Sequence, residues 1–304
     1  MLVAVGDSMT SGHESAGIAP PRTTCDNPGT GPADPGSSWA GNLRALIGVP
    51  WNRYFNFAHS GASTTDVLTT SPYTNPCGVV SQPAVAQIAD ATALLQRWPS
   101  APGAANVAVA SAGINNTNWV KVAGILVKKK APAWAVAAAG PCTQWVMGDP
   151  AAVPPIPPAW NGAANSGRIS AGVARIALDL ISSDPGAQVR QLLYYRWIGD
   201  PNLPPVCNPA VNTASTLLNR WVTFGVAVAK VVWAFARGDA RRIQAVCQRT
   251  WNPGRNFIQT RLVSFGIPNW DNVPGWPHPN AAGRASLAAC VNGTLPRAAG
   301  GGIA

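Results

Sequence analysis

Short apolar runs alternate along this chain with segments whose apolar residues recur at helical spacing. Leu2, Val3, Ala4 and Val5 form an apolar run closed by Gly6, which predicts a buried first strand over residues 2–5. Ser37 or Ser38 then offers an N-cap for a helix carrying Trp39, Leu43, Leu46 and Ile47. A second strand is expected over residues 54–58. A helix follows over 83–98, with Val85, Ile88, Ala89, Thr92 and Leu95 on one face, and a third strand over 106–110. Residues 168–181 read as a helix and 188–197 as a strong strand. Asn208-Pro209 supplies a helix start, with Asn208 as N-cap and Pro209 at the first helical position. The helix after it carries Leu217, Leu218, Trp221, Phe224, Val228, Val231, Val232 and Phe235 at three- and four-residue spacing. A short last strand over 261–265 and a closing helix over 281–290 complete the series.

Strands alternating with helices imply an α/β fold with a parallel, doubly wound sheet, and ligands of such sheets sit at the carboxyl ends of the strands. Residues 20–36 are rich in Pro, Gly, Asp and Thr and read as a loop. Residues 131–161, dense in Pro, Ala and Trp, read as an insertion that shapes a substrate cleft. There is no internal repeat and no clean boundary, so residues 1–304 are expected to form one domain. No apolar run approaches the roughly 20 residues a membrane span requires, so no transmembrane segment is expected.

Composition narrows the setting. Hydrophobic residues make up 47% and charged residues 11%, which marks a globular chain with a polar but weakly charged surface. Lys and Arg number 22 against 12 Asp and Glu, a net charge of +10. That excess favours anionic surroundings, but the arginines between 237 and 261 lack the aromatic interleaving of a base-stacking groove, so no nucleic acid partner is expected. Six widely spaced cysteines, Cys25, Cys77, Cys142, Cys207, Cys247 and Cys290, point to three disulfides and a secreted protein. Six cysteines allow 15 pairings, of which the sequential one, Cys25–Cys77, Cys142–Cys207 and Cys247–Cys290, is taken as the working expectation. None lies in a C-x-x-C pair and there are three histidines, so no metal site is expected. The chain opens on its first strand without a signal peptide, as a mature secreted domain would.

Four segments fall at or just after predicted strand ends: Gly6-Asp7-Ser8-Met9-Thr10-Ser11-Gly12, Ala58-His59-Ser60-Gly61-Ala62-Ser63, Gly113-Ile114-Asn115-Asn116 and Trp276-Pro277-His278-Pro279-Asn280. Together they suit acyl transfer. A serine at a strand-to-helix turn exposes its Oγ, a histidine from the far end of the chain can take its proton, and turn amides can hold an oxyanion. No G-x-S-x-G elbow, P-loop or dinucleotide fingerprint occurs, against the α/β-hydrolase, nucleotide and dinucleotide readings. Taken alone, Ser8 would be a turn serine or helix cap. Asp7 reads as a brace of the nucleophile turn rather than a titrating group, and His13 and His59 as partly exposed loop histidines.

The order Gly-Asp-Ser, lone Gly, Gly-x-Asn and His-Pro-Asn resembles the SGNH (GDSL) hydrolase family, from Gly6 to Gly283. The resemblance implies a flavodoxin-like, three-layer α/β/α sandwich with a parallel central sheet. It makes Ser8 the nucleophile, His278 the general base, and the N–H groups of Ser8 and Gly61 with the Asn115 amide the oxyanion hole. It implies no metal or cofactor, a monomer, and a small-molecule or lipid ester as substrate. An acylated carbohydrate or cell-wall glycan is the alternative, and a non-catalytic binding protein a further one. Two positions depart from the pattern. Asn116 stands where the family has Asp, and Gly275 stands where it has the Asp three residues before the catalytic His. Either Asp271 reaches His278, or a backbone carbonyl near Gly275 orients the ring and leaves a Ser-His dyad.

Overall fold

The computed structural model describes residues 1–11, 38–59, 61–70, 73–74, 80–81, 85–127, 130–194, 196–197, 203–248, 250–251, 279, 281–298 and 301–304. Five parallel strands form the central sheet: β1 (Leu2–Gly6), β2 (Tyr54–Asn56), β3 (Val107–Ser111), β4 (Gln188–Leu192) and β5 (Ile243–Val246). Their spatial order is β2-β1-β3-β4-β5. The register runs Leu2↔Tyr54 and Leu2↔Val107 on the two sides of β1, and Val107↔Gln188 between β3 and β4. Every residue of β1, β3 and β4 is buried, as expected of a parallel sheet covered on both faces.

In chain order the helices are α1 (Ser8–Ser11), α2 (Trp39–Leu46), α3 (Thr64–Leu68), α4 (Gln87–Arg97), α5 (Trp119–Val127), α6 (Ala133–Val136), α7 (Ala139–Met147), α8 (Gly162–Ser183), α9 (Asn208–Arg237) and α10 (Ala281–Asn292). Helices α2 and α10 pack together, while α3, α4 and α9 pack against α8. With helices on both faces of the sheet, this is a three-layer α/β/α sandwich. Ser38 caps α2, its Oγ accepting from the N–H of Gly41 at 2.9 Å. A capping box starts α3, where the Ser63 N–H donates to Asp66 and the Asp66 N–H to the Ser63 hydroxyl.

Several expectations shift. Residues 188–197 do not form one strand: β4 ends at Leu192, and Arg196–Trp197 pairs separately with Thr250–Trp251. The edge strand β5 lies at 243–246, where the alternation Ile243-Gln244-Ala245-Val246 hides among arginines; the strand expected over 261–265 lies outside the described residues. The helix expected to start with Asn208 as its cap has Cys207 there instead, with Pro209 in the first turn. Disulfides join Cys142 to Cys207 and Cys247 to Cys290, as the sequential pairing expects, while Cys25 and Cys77 lie outside the described residues. By length and composition alone Pro205–Ala236 would suffice to cross a membrane, yet Val211, Ala214, Leu218, Val222, Val226, Ala229 and Trp233 bury one side of it in the core.

Candidate active site

In the order 2-1-3-4-5 the chain reverses direction across the sheet at β1, and a crevice opens where the connections leaving β1 and β3 part. Ser8 follows β1, Asn115 follows β3, and Gly61 follows β2 on the other flank of β1. Topology alone therefore brings three distant positions to one edge.

The turn after β1 is fixed by close approach. Gly6 has φ +134°, and a Cβ there would sit 2.1 Å from the carbonyl oxygen of Ser111, so only glycine fits. Its N–H donates to Gln87 Oε1 at 2.8 Å, its carbonyl accepts from His59 N at 3.0 Å, and Asp7 N donates to Ser111 O at 2.9 Å. Ser8 then opens α1 in a half-buried position.

Asp7 is fully buried beneath this turn. Its Oδ1 accepts from Met9 N at 3.0 Å and from Ser111 Oγ at 2.7 Å, and its Oδ2 accepts from Tyr194 Oη at 2.6 Å. The Ser111 proton being so used, Thr10 Oγ1 is the donor in the 2.6 Å bond between Thr10 and Ser111. Tyr194 Oη in turn accepts from Ile114 N at 3.2 Å. The main chain of Tyr194 is held by Asn219, whose Oδ1 accepts from Tyr194 N at 2.7 Å and whose Nδ2 donates to Tyr194 O. One tyrosine hydroxyl thus links the residue before Ser8 to the residue before Asn115.

The opposite flank is equally constrained. Asn56 donates to Thr10 O at 2.8 Å and accepts from Ala58 N at 3.1 Å, tying the end of β2 to α1. Gly61 lies half-buried at φ +85°. Asn115, in the single turn Ile114–Asn116, donates one amide N–H to Ala62 O at 3.0 Å, leaving the second for another acceptor. Asn116, where the sequence resemblance leads one to expect Asp, accepts from Thr64 N at 2.9 Å and donates to Thr64 Oγ1 at 3.0 Å, so an amide does here what loop support needs. His59 is buried rather than partly exposed, because β1 extends its pairing to His59 N; burial pushes its pKa below the ordinary value.

Ser8, Gly61 and Asn115 therefore stand around the end of β1, while His278, Asp271, Gly275 and His13 lie outside the described residues. Pro279, next to His278, is buried, and its carbonyl accepts from the buried guanidinium of Arg284 on α10 at 2.8 Å. The network of Ser111, Tyr194 and Asn219 was missed by sequence reading. Its signal is a polar side chain at the carboxyl end of an otherwise apolar strand, as in Val-Ala-Val-Ala-Ser.

Beside the site, Ile114, Trp119, Trp160, Tyr194, Ser215 and Leu218 line a small, mostly apolar cavity. Trp160 comes from the 131–161 segment and stacks on Trp221 with ring centroids 5.3 Å apart.

Neither a family model nor a curated protein sequence matches the chain. Its fold does have counterparts. The phospholipase A1 from Streptomyces albidoflavus NA297 matches with a TM-score of 0.54 at 15% identity, over 96% of this chain and 98% of that one. The extracellular lipase from Streptomyces rimosus matches with a TM-score of 0.51 at 16% identity, over the same shares of both chains. The chain thus has the three-layer SGNH-hydrolase fold.

Proposed function

We propose that the protein is a secreted serine hydrolase of carboxylic esters, working through an acyl-enzyme on Ser8. The observation that carries this reading is the convergence of Ser8, Gly61 and Asn115 at the end of β1, held by the Asp7–Tyr194–Ile114 link. Ser8 Oγ attacks the ester carbonyl while His278 takes its proton. The oxyanion is held by the N–H groups of Ser8 and Gly61 and the free N–H of Asn115. Collapse releases the alcohol, protonated by His278, and water attacks the acyl-enzyme by the reverse sequence. We assign the orientation of His278 to a backbone carbonyl near Gly275, so Asp271→Ala should keep kcat within a few-fold; a loss of about 100-fold or more would restore a carboxylate to that role. Disulfides and an extracellular lipase of the same fold support secretion.

The test is direct. Ser8→Ala should abolish p-nitrophenyl acetate turnover and fluorophosphonate labelling while the circular dichroism spectrum is retained. Asn115→Ala should cost about 100- to 1000-fold in kcat. Full activity in the Ser8 variant would end this reading.

The apolar, Trp-rich segment over residues 131–161 supports short- to medium-chain acyl esters or lipids as substrates, with O-acetylated glycans as the second reading. Hydrolysis of an octanoyl ester should then exceed acetate release from acetylated xylan. The reverse order would favour a glycan.

A further inference from the structure

Helix α9 carries two apolar faces, and the fold uses one. Val222, Val226, Ala229 and Trp233 are buried, and Gly225 lets α9 approach α8 so closely that a Cβ would lie 2.5 Å from Ser170 O. On the opposite side Phe224 is 62%, Val228 37%, Val231 56%, Val232 46% and Phe235 90% exposed. A surface helix ordinarily carries polar residues there. This is the stripe whose spacing stands out in the sequence, and the core does not account for it.

Its spacing says what fits it. Phe224, Val228, Val231 and Phe235 follow one another at intervals of four, three and four residues, the seam of a helix that packs on another helix, and the half-buried Leu217 and Trp221, the latter stacked on Trp160, continue the same spacing toward the start of α9. Small Ala227 and Ala234 border the seam on one side, allowing close approach; the charges near it are Arg220 at one end and Lys230 on the flank turned toward the fold. A helix lying on a bilayer would carry a denser rim of Lys and Arg than Arg220 and Lys230 supply.

We infer that this stripe is a self-association surface: α9 of one chain packs antiparallel on α9 of a second copy, about a two-fold axis near residue 226. This replaces the sequence expectation of a monomer and does not depend on the catalytic reading. The antiparallel register is self-complementary, setting Phe224 against Val228 of the second copy, Trp221 against Val231 and Leu217 against Phe235, large beside small in the central layers. It also holds the two Arg220 side chains at opposite ends, where a parallel pair would bring them together. The stripe is about 27 Å long counting the half-buried Leu217 and Trp221, and its exposed part over residues 224–235 is about 17 Å. A helix pair of that length, with the flanking loops, buries on the order of 1,000 Å² in total, the lower bound for a specific interface.

Sedimentation equilibrium of the full chain from about 1 to 300 µM tests it. Wild type should reach twice the 31.5 kDa chain mass. Phe224→Glu with Val231→Glu should raise the dimer Kd at least ~100-fold, with circular dichroism and ester turnover unchanged. Phe224→Cys with Val228→Cys should form a disulfide-linked dimer on mild oxidation. A wild-type chain monomeric over the whole range, or a doubly charged variant that still dimerises, overturns the inference. So does a monomer that instead sediments with vesicles of anionic phospholipid, which would give the stripe to a lipid surface.

Discussion

Tyr194 occupies a small but decisive place, because its hydroxyl serves two loops at once. Replacing it by Phe leaves Asp7 Oδ2 and Ile114 N without that partner in a buried setting. Tyr194→Phe should lower kcat by about 10-fold with KM and the pH profile little changed, since the hydroxyl positions groups and transfers no proton, and should cost about 1–2 kcal/mol in stability. A variant with wild-type kcat would show that the turn holds without it. His59 makes a separate prediction. Its pKa is lowered by burial in the folded state, so below about pH 6.5 the unfolded chain binds a proton that the folded chain refuses. Stability should therefore fall as the pH drops through 6.5, and thermal melts of His59→Asn should lose part of that slope. The positions of Ser8, Gly61 and Asn115 were legible in the sequence because they follow strand ends, which apolar runs mark well. The brace beneath them was not, since the partnership of Asp7 with Tyr194 spans 187 residues and depends on the order of β1, β3 and β4.

Strand β4 shows how an element can defy its pattern. Gln-Val-Arg-Gln-Leu is fully buried, and Arg190 is 1% exposed. Among the described residues no carboxylate pairs with its guanidinium. It donates instead to Val189 O, Arg242 O, Gln188 Oε1, Thr294 Oγ1 and Thr294 O, all within 3.1 Å. Burial, with Arg242 nearby, pulls its pKa down to about 10. Five bonds to acceptors on three segments make it a clasp between β4, the start of β5 and the chain after α10. Arg190→Met keeps the length but strands those acceptors, and should cost about 3 kcal/mol, read as a lower urea midpoint. A loss below about 1 kcal/mol would mean that water replaces the guanidinium. The sequence announced β1 and β3, whose runs are apolar up to their last residue, but periodicity was ambiguous in α9. There both faces are apolar: Phe224, Val231 and Phe235, which drew attention first, are exposed, while Leu218, Val222, Ala229 and Trp233 are buried.

For the whole molecule, the placement of the disulfides decides how fold and activity separate. Cys142–Cys207 ties α7 to the start of α9 across 65 residues, while Cys247–Cys290 joins the end of β5 to α10 across 43. Loop-closure entropy gives each a stabilisation of about 4 kcal/mol, so the two differ little as restraints on the unfolded chain. They differ in what they enclose. The 43-residue ring contains Pro279, held by Arg284, and by sequence His278, whereas Ser8, Gly61 and Asn115 lie outside both rings. Removing Cys247–Cys290 with a pair of serines should therefore strike turnover harder than removing Cys142–Cys207, although both lower Tm by a similar amount. The measurement is kcat/KM for p-nitrophenyl acetate at 25 °C, where both variants remain folded by circular dichroism, beside their melting temperatures. Equal losses of activity from the two variants would show that the ring does not hold the general base in place. A fluorophosphonate that still labels Ser8 slowly in the Cys247–Cys290 variant would place the defect in His278 and leave the nucleophile turn intact, because Gln87, Ser111, Tyr194 and Asn56, which hold that turn, lie outside the ring.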